Sequence, residues 1–192
     1  MKKHEFLVRF HLKQLAKSAH NYQHNSTLKI AAVLIGLVES SDNDTGLEVL
    51  LTKRSSHLKH HPSQISFPGG KAEPEDESLV ATALREASEE IGLSPTSVSV
   101  IGQLPSYQII SGYQVTPIVA MIDKQSSYQQ DDNEVAEIFQ VPLQHFLHAN
   151  SHHCINAFKN GRKHNIHFFP YKHYNIWGAT AAMLKDLTEH IK

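Results

Sequence analysis

Apolar residues recur at three- and four-residue steps over Leu79, Val80, Ala83, Leu84, Ala87 and Ile91. That period predicts an amphipathic helix with one stripe for a core. Phe6, Leu7, Phe10, Leu15 and Ala19 repeat the same spacing across residues 4–21. They predict an N-terminal helix packed on the domain or on a partner subunit, with residues 1–24 as a helical extension. Leu28 to Val38 is aliphatic and β-branched enough for a buried strand. Ser40 to Gly46 then turns the chain into a hairpin partner, Leu47 to Arg54. Val98 to Tyr107 and Gly112 to Ile122 read as two strands joined at 109–112, and Asp123 to Asn133 as a polar loop. Cys154–Phe158 and Lys163–Phe169 flank an Asn160-Gly161 turn, and a closing helix runs from Gly178 or Ala179 to His190. This order predicts an α+β chain: an α/β/α sandwich around a mixed β-sheet, in one domain spanning 1–192.

Composition narrows the function. The 192 residues carry 18 basic and 19 acidic side chains, a near-neutral balance that argues against general nucleic-acid binding. No apolar run reaches the length of a membrane span, and the first residues lack a signal-peptide core. The single cysteine, Cys154, excludes an intramolecular disulfide and fits a reducing cytoplasm. It reads as a small buried hydrophobe rather than a nucleophile. Trp177 reads as core packing, with an adenine-binding wall as the other reading.

The candidate chemistry sits on the central helix. Thr82, Glu86, Glu89 and Glu90 fall away from the apolar stripe, and Glu86 and Glu90 are one turn apart. Like charges at that spacing repel by a few tenths of a kcal/mol. A divalent cation would offset them, and all-oxygen ligation favours Mg²⁺ or Mn²⁺ over zinc. The plainer reading is a solvated acidic face. Arg54, at a strand end, is placed either to pair with a substrate phosphate or to meet an ordinary carboxylate. His57, His60 and His61 read as polar loop residues, with the substrate's phosphates as a weaker alternative for them and Lys59. Glu134 and Glu137 are either further carboxylates for the metal or solvated acids.

Arg85-Glu86-Ala87-Ser88-Glu89-Glu90-Ile91-Gly92-Leu93 resembles the second half of the Nudix box, G-x5-E-x7-R-E-U-x-E-E-x-G-U, where U is aliphatic. The box covers residues 69–93. Glu77, with seven residues between it and Arg85, fits its first Glu, although six residues rather than five separate it from Gly70. Upstream, Leu50-Leu51-Thr52-Lys53-Arg54-Ser55, Lys59, Ser63 and Phe67-Pro68-Gly69-Gly70 resemble the signature of the coenzyme A pyrophosphatase branch, L-L-T-x-R-S-x3-R-x3-G-x3-F-P-G-G. Lys59 replaces an Arg, keeping charge but losing the bidentate fork. Ser63 replaces a Gly, which tolerates positive φ more readily. Tyr113 to Pro117 and Ile176 to Ala181 also resemble that branch.

The resemblance implies metal-dependent cleavage of the pyrophosphate bond of coenzyme A or acyl-CoA by a cytoplasmic monomer or homodimer. Glu86 and Glu90 would hold Mg²⁺ or Mn²⁺, and Glu89 and Arg85 would be catalytic. Arg54, Lys59 and Gly70 would bind substrate. The rival readings are a Nudix hydrolase of another nucleoside diphosphate derivative, such as ADP-ribose or a dinucleotide, and a non-catalytic binding module of the same fold.

Overall fold

The computed structural model describes residues 1–14, 27–41, 46–124, 128–159 and 162–192. In chain order its elements are α1 (Lys3–Leu12), β1 (Lys29–Glu39), β2 (Leu47–Arg54), β3 (Ile65–Ser66), β4 (Gly69–Lys71), α2 (Leu79–Ile91), β5 (Val98–Gln103), β6 (Tyr107–Ile109), β7 (Tyr113–Ile122), β8 (Val135–Pro142), α3 (Leu143–Leu147), β9 (His153–Lys159), β10 (Arg162–Tyr171), β11 (Tyr174–Trp177) and α4 (Gly178–Ile191).

The centre is the parallel pair β1 and β7, in register from Lys29 opposite Tyr113 to Val38 opposite Ile122. Both strands are nearly continuous apolar runs, as expected of strands covered on both faces. β2 and β4 pair antiparallel with β1, β3 and β8 with β2, and β5 and β6 with β7, giving one mixed sheet. Alternate residues supply two cores. Ala32, Leu34, Leu50, Ile118 and Ala120 pack under Ala83, Ala87 and Ile91 of α2. Ile35, Leu37, Leu51, Val119 and Val141 pack on the other side with α1, α3 and α4. The expected sandwich around a mixed sheet is therefore the observed architecture.

Phe6 and Phe10 seat α1 in the second core, each contributing about 2–3 kcal/mol by burial. Arg9 Nη1 donates to the Ile191 carbonyl at 3.2 Å, and His190 Nε2 donates to the Phe10 carbonyl at 2.8 Å. Leu15 and Ala19, which the helical pattern also included, lie outside the described residues, as does the Asn160-Gly161 turn.

Four sequence expectations change. The strand expected from Val98 to Tyr107 is broken between Gln103 and Tyr107, where Pro105 lacks the N–H a ladder needs. Residues 65–66 and 69–71 form the short strands β3 and β4. The Tyr174–Trp177 cluster is itself a strand, β11, completing a three-stranded sheet with β9 and β10. Its alternation turns Ile176 into the core and Trp177 outward, 41% exposed and stacked on Phe168, so Trp177 is not a core residue. Cys154 is likewise exposed rather than buried.

Candidate active site

The helix carrying the acids is fixed at both ends by its own sequence. Ser78 caps its start, accepting from the Ala81 N–H at 3.1 Å. Gly92 ends it in the left-handed conformation, φ 64°, and the Leu93 N–H returns to the Ala87 carbonyl. Phase along the helix then decides each acid's surroundings. Glu89 is on the outer face, 60% exposed. Glu90 is 4% exposed, so it is not on a solvated face as its charge suggested. Glu86 lies between, half-buried against β4.

The turn into β4 brings backbone onto both inner carboxylates. The Gly69 N–H donates to Glu90 Oε2 at 3.2 Å. Gly70 lies so close to Glu86 that a Cβ there would stand 2.5 Å from both Cδ and Oε1. Only a residue without a side chain admits the Glu86 carboxylate at that place. Desolvation raises the pKa of both acids, and that of Glu90 to about 8. The charge of Glu134, at the mouth of β8, raises both further. Two desolvated carboxylates with a third nearby are a donor set for a hard cation.

Arg85 organises the rest. Its Nε and Nη2 bond both oxygens of Asp76 at 3.0 Å, a bidentate pair. Nη1 reaches Glu86 Oε1 at 3.1 Å and Glu89 Oε2 at 3.0 Å, and Nη2 also reaches the Lys71 carbonyl. Asp76 further accepts from Thr82 Oγ1 and the Glu73 N–H. The guanidinium, followed by those donors, holds the Asp76 carboxyl far below the usual range. The box's first acid is therefore Asp76, not Glu77, which is exposed. Five residues separate Gly70 from Asp76, as in the pattern, but eight rather than seven separate Asp76 from Arg85, and that second spacing points to Glu77.

Arg54 points at the same acids. Its Nη1 is 3.8 Å from Glu90 Oε1, while its Nε is buried without a partner. Of its two sequence readings, the carboxylate is the partner present, and the free donor remains for another anion. Lys59 is exposed and no hydrogen bond or ion pair ties it to the acids. Ser63 adopts φ 58°, so the loop keeps a glycine-like bend despite its Cβ. His61 Nδ1 bonds Gln64 and His57 Nε2 donates to the Asn133 carbonyl, so both serve the loop itself. Glu137 is held by the Tyr174 hydroxyl rather than turned toward Glu86 and Glu90.

Among the described residues no three His, Cys, Asp or Glu side chains are gathered closely enough to enclose a metal. Magnesium does not require that, since one or two carboxylates with water and substrate phosphates commonly complete its octahedron. The Gly70 cradle, the two desolvated acids and the free Arg54 Nε fit such an open site.

The model of the NUDIX domain matches residues 29–159. The chain belongs to the Nudix family. It is 39% identical to the Nudix hydrolase NudL of Escherichia fergusonii over 97% of this chain and 93% of that one. NudL of Enterobacter sp. (strain 638) is 42% identical over 84% and 82%. Neither name specifies a substrate. Among solved structures, an Ap4A hydrolase of C. elegans aligns with TM-score 0.50 and 19% identity, covering 59% of this chain and 80% of that one. A MutT/nudix family protein of Enterococcus faecalis aligns with TM-score 0.50 and 16% identity, covering 98% and 68%. These two likenesses speak to the fold alone. The family uses divalent metal ions, and no helix among the described residues is long and apolar enough to cross a membrane.

Proposed function

We propose that this Nudix hydrolase cleaves the pyrophosphate bond of coenzyme A or acyl-CoA, giving adenosine 3′,5′-bisphosphate and 4′-phosphopantetheine or its acyl form. The observation that carries the reading is the seating of the segment from Leu50 to Gly70 against α2. Arg54 and Gly69 both reach Glu90, and Gly70 lies on Glu86. The stretch resembling the coenzyme A signature and the box acids thus share one surface.

Glu86 and Glu90 are the residues that would hold Mg²⁺ or Mn²⁺. When bound, such an ion supplies charge neutralisation at phosphate oxygens and lowers the pKa of water. Glu89 is the most exposed of the three box acids and takes the proton from the attacking water. Arg85, held by Asp76, keeps Glu86 and Glu89 in fixed rotamers, so little reorganisation is needed on reaction. Arg54 orients the pyrophosphate through its free Nε–H, and the Gly70 backbone leaves room for the phosphates. Lys59 supplies a second cation to the bound substrate. The near-neutral charge suits a small-molecule substrate over nucleic acid, and the protein acts in the cytoplasm as a monomer or homodimer.

The exposed position of Lys59, away from the acids, favours one second reading: another nucleoside diphosphate derivative, such as ADP-ribose or a dinucleotide. Incubation with coenzyme A and Mg²⁺ or Mn²⁺, with products identified by mass spectrometry, separates the two. The bisphosphate and phosphopantetheine, lost on adding EDTA, are the expected products. Inert coenzyme A beside cleaved ADP-ribose or dinucleotide would establish the second reading instead.

A further inference from the structure

The loop that leaves β2 and the turn that enters β8 are joined beside the acids. From Lys53 opposite Glu137 to Arg54 opposite Val135, β8 advances two residues while β2 advances one. This bulge ends the regular ladder and sets Ser55 against Glu134. The Ser55 N–H donates to the Glu134 carbonyl and its Oγ donates to the Asp132 carbonyl, both at 2.9 Å. His57 Nε2 donates to the Asn133 carbonyl between them at 3.0 Å. Three consecutive carbonyls of the turn are thus held by Ser55 and His57. His57 is exposed, so water replaces its bond at little cost. Ser55 is 4% exposed, and losing its hydroxyl leaves the Asp132 carbonyl short of a donor.

On its other side the turn is tied to α2. The Asp131 N–H donates to the Glu90 carbonyl at 2.9 Å and the Gln129 N–H to the Ile91 carbonyl at 3.1 Å. Two of the turn's three acids bond within it: Asp131 Oδ1 accepts from the Asn133 N–H and Nδ2, and Asp132 Oδ1 from Gln130 Nε2. The third is Glu134, exposed and near enough for its charge to be felt at Glu86 and Glu90. Like charge pushes that carboxylate away from the pair. The bonds to Ser55 and to the end of α2 hold the turn against that push.

We infer that Ser55 is a positioning residue, fixing the turn so that Glu134 adds its charge to the site where Glu86 and Glu90 would hold a divalent ion. The inference rests on the reading of those two acids as the ion's ligands. Ser55 acts through the Asp132 and Glu134 carbonyls.

Mn²⁺ affinity in the absence of substrate, followed by electron paramagnetic resonance, tests this through a double-mutant cycle. Ser55→Ala weakens Mn²⁺ binding about tenfold, within the range that supporting groups of a metal site command. Glu134→Gln weakens it by a similar factor, and the two together weaken it no more than either alone. Ser55→Thr, which keeps a hydroxyl, retains most of the affinity. Melting in EDTA reports folding separately, and Ser55→Cys, which keeps the volume and weakens the donor, replaces Ser55→Ala if that variant does not fold. Losses that multiply in the double variant, as a merely structural Ser55 would give, overturn the inference, and so does wild-type Mn²⁺ affinity in a folded Ser55→Ala. In both cases the ion site at Glu86 and Glu90 stands. Mn²⁺ binding that survives unchanged in the Glu86→Gln, Glu90→Gln double variant removes the site and the inference together.

Discussion

Two adjacent glycines on β4 have opposite sensitivities, and substituting each by alanine separates folding from catalysis. At Gly70 an added Cβ meets the Glu86 carboxylate at 2.5–2.6 Å, and ordinary contact begins near 3.4 Å. The carboxylate, at the tip of a flexible side chain, must retreat by about 1 Å. A misplacement of that size typically costs about 10²-fold in rate, while the fold barely registers it. At Gly69 the Cβ meets the Ala32 carbonyl oxygen at 2.4 Å and Val33 Cα at 2.6 Å, with φ at +151°. Backbone cannot retreat in this way, so Gly69→Ala destabilises by about 2–4 kcal/mol. For a chain of this size that lowers Tm by about 4–15 °C. Thermal melts and metal-activation curves on both variants are the assay. Gly70→Ala should melt within about 2 °C of wild type and lose about 10²-fold in turnover, with a higher metal requirement. Wild-type turnover in Gly70→Ala would show that Glu86 is not needed where the structure puts it. A melting loss as large as that of Gly69→Ala would show that backbone, not the carboxylate, had yielded.

Asp76→Asn removes the bidentate anchor of Arg85 and should lower activity 10- to 100-fold, as loss of such supporting groups commonly does, while Glu77→Gln stays within twofold. Equal effects of the two would overturn the assignment of the box's first acid. Because the Asp76 pKa is depressed on folding, its contribution to stability is full above its ordinary value and lost as pH falls below it. Melting between pH 6 and 2 should therefore drop more steeply in wild type than in Asp76→Asn. Glu90 has the opposite sign. Burial raises it to about 8, so its contribution is full below about pH 4.5 and is lost as pH rises towards 8. In EDTA, Tm should fall across that interval, by an amount worth several kcal/mol, and Glu90→Gln should flatten the profile. A flat wild-type profile would contradict the burial of an ionisable Glu90.

Sequence made most of the scaffold legible because its signals are local. The apolar stripe of α2 and the aliphatic runs of β1 and β7 each follow from periodicity within a few residues. The site was legible as a set of acids but not as an arrangement. Helical phase put Glu90 away from the stripe, yet β4 folds over that flank and buries it, a contact between residues 21 positions apart. The same crossing explains why Gly70 matters, since nothing in its own neighbourhood names Glu86. Asp76 was hidden because the seven-residue spacing back from Arg85 lands on Glu77. Trp177 and Cys154 were misplaced because composition gives an average burial for a residue type, whereas an edge sheet assigns sides by alternation. Lys59 was placed by its loop's resemblance alone, and the structure leaves it exposed.

The central claim is that Glu86 and Glu90 together hold the divalent ion on which pyrophosphate cleavage depends. Mn²⁺ binding to wild type and to the Glu86→Gln, Glu90→Gln double variant, followed by electron paramagnetic resonance alongside coenzyme A turnover in the same samples, tests it directly. The account predicts that the double variant loses at least about 100-fold in Mn²⁺ affinity and in turnover while its melting in EDTA shows a folded protein. Mn²⁺ binding and metal-dependent turnover near wild-type levels in that variant would contradict it.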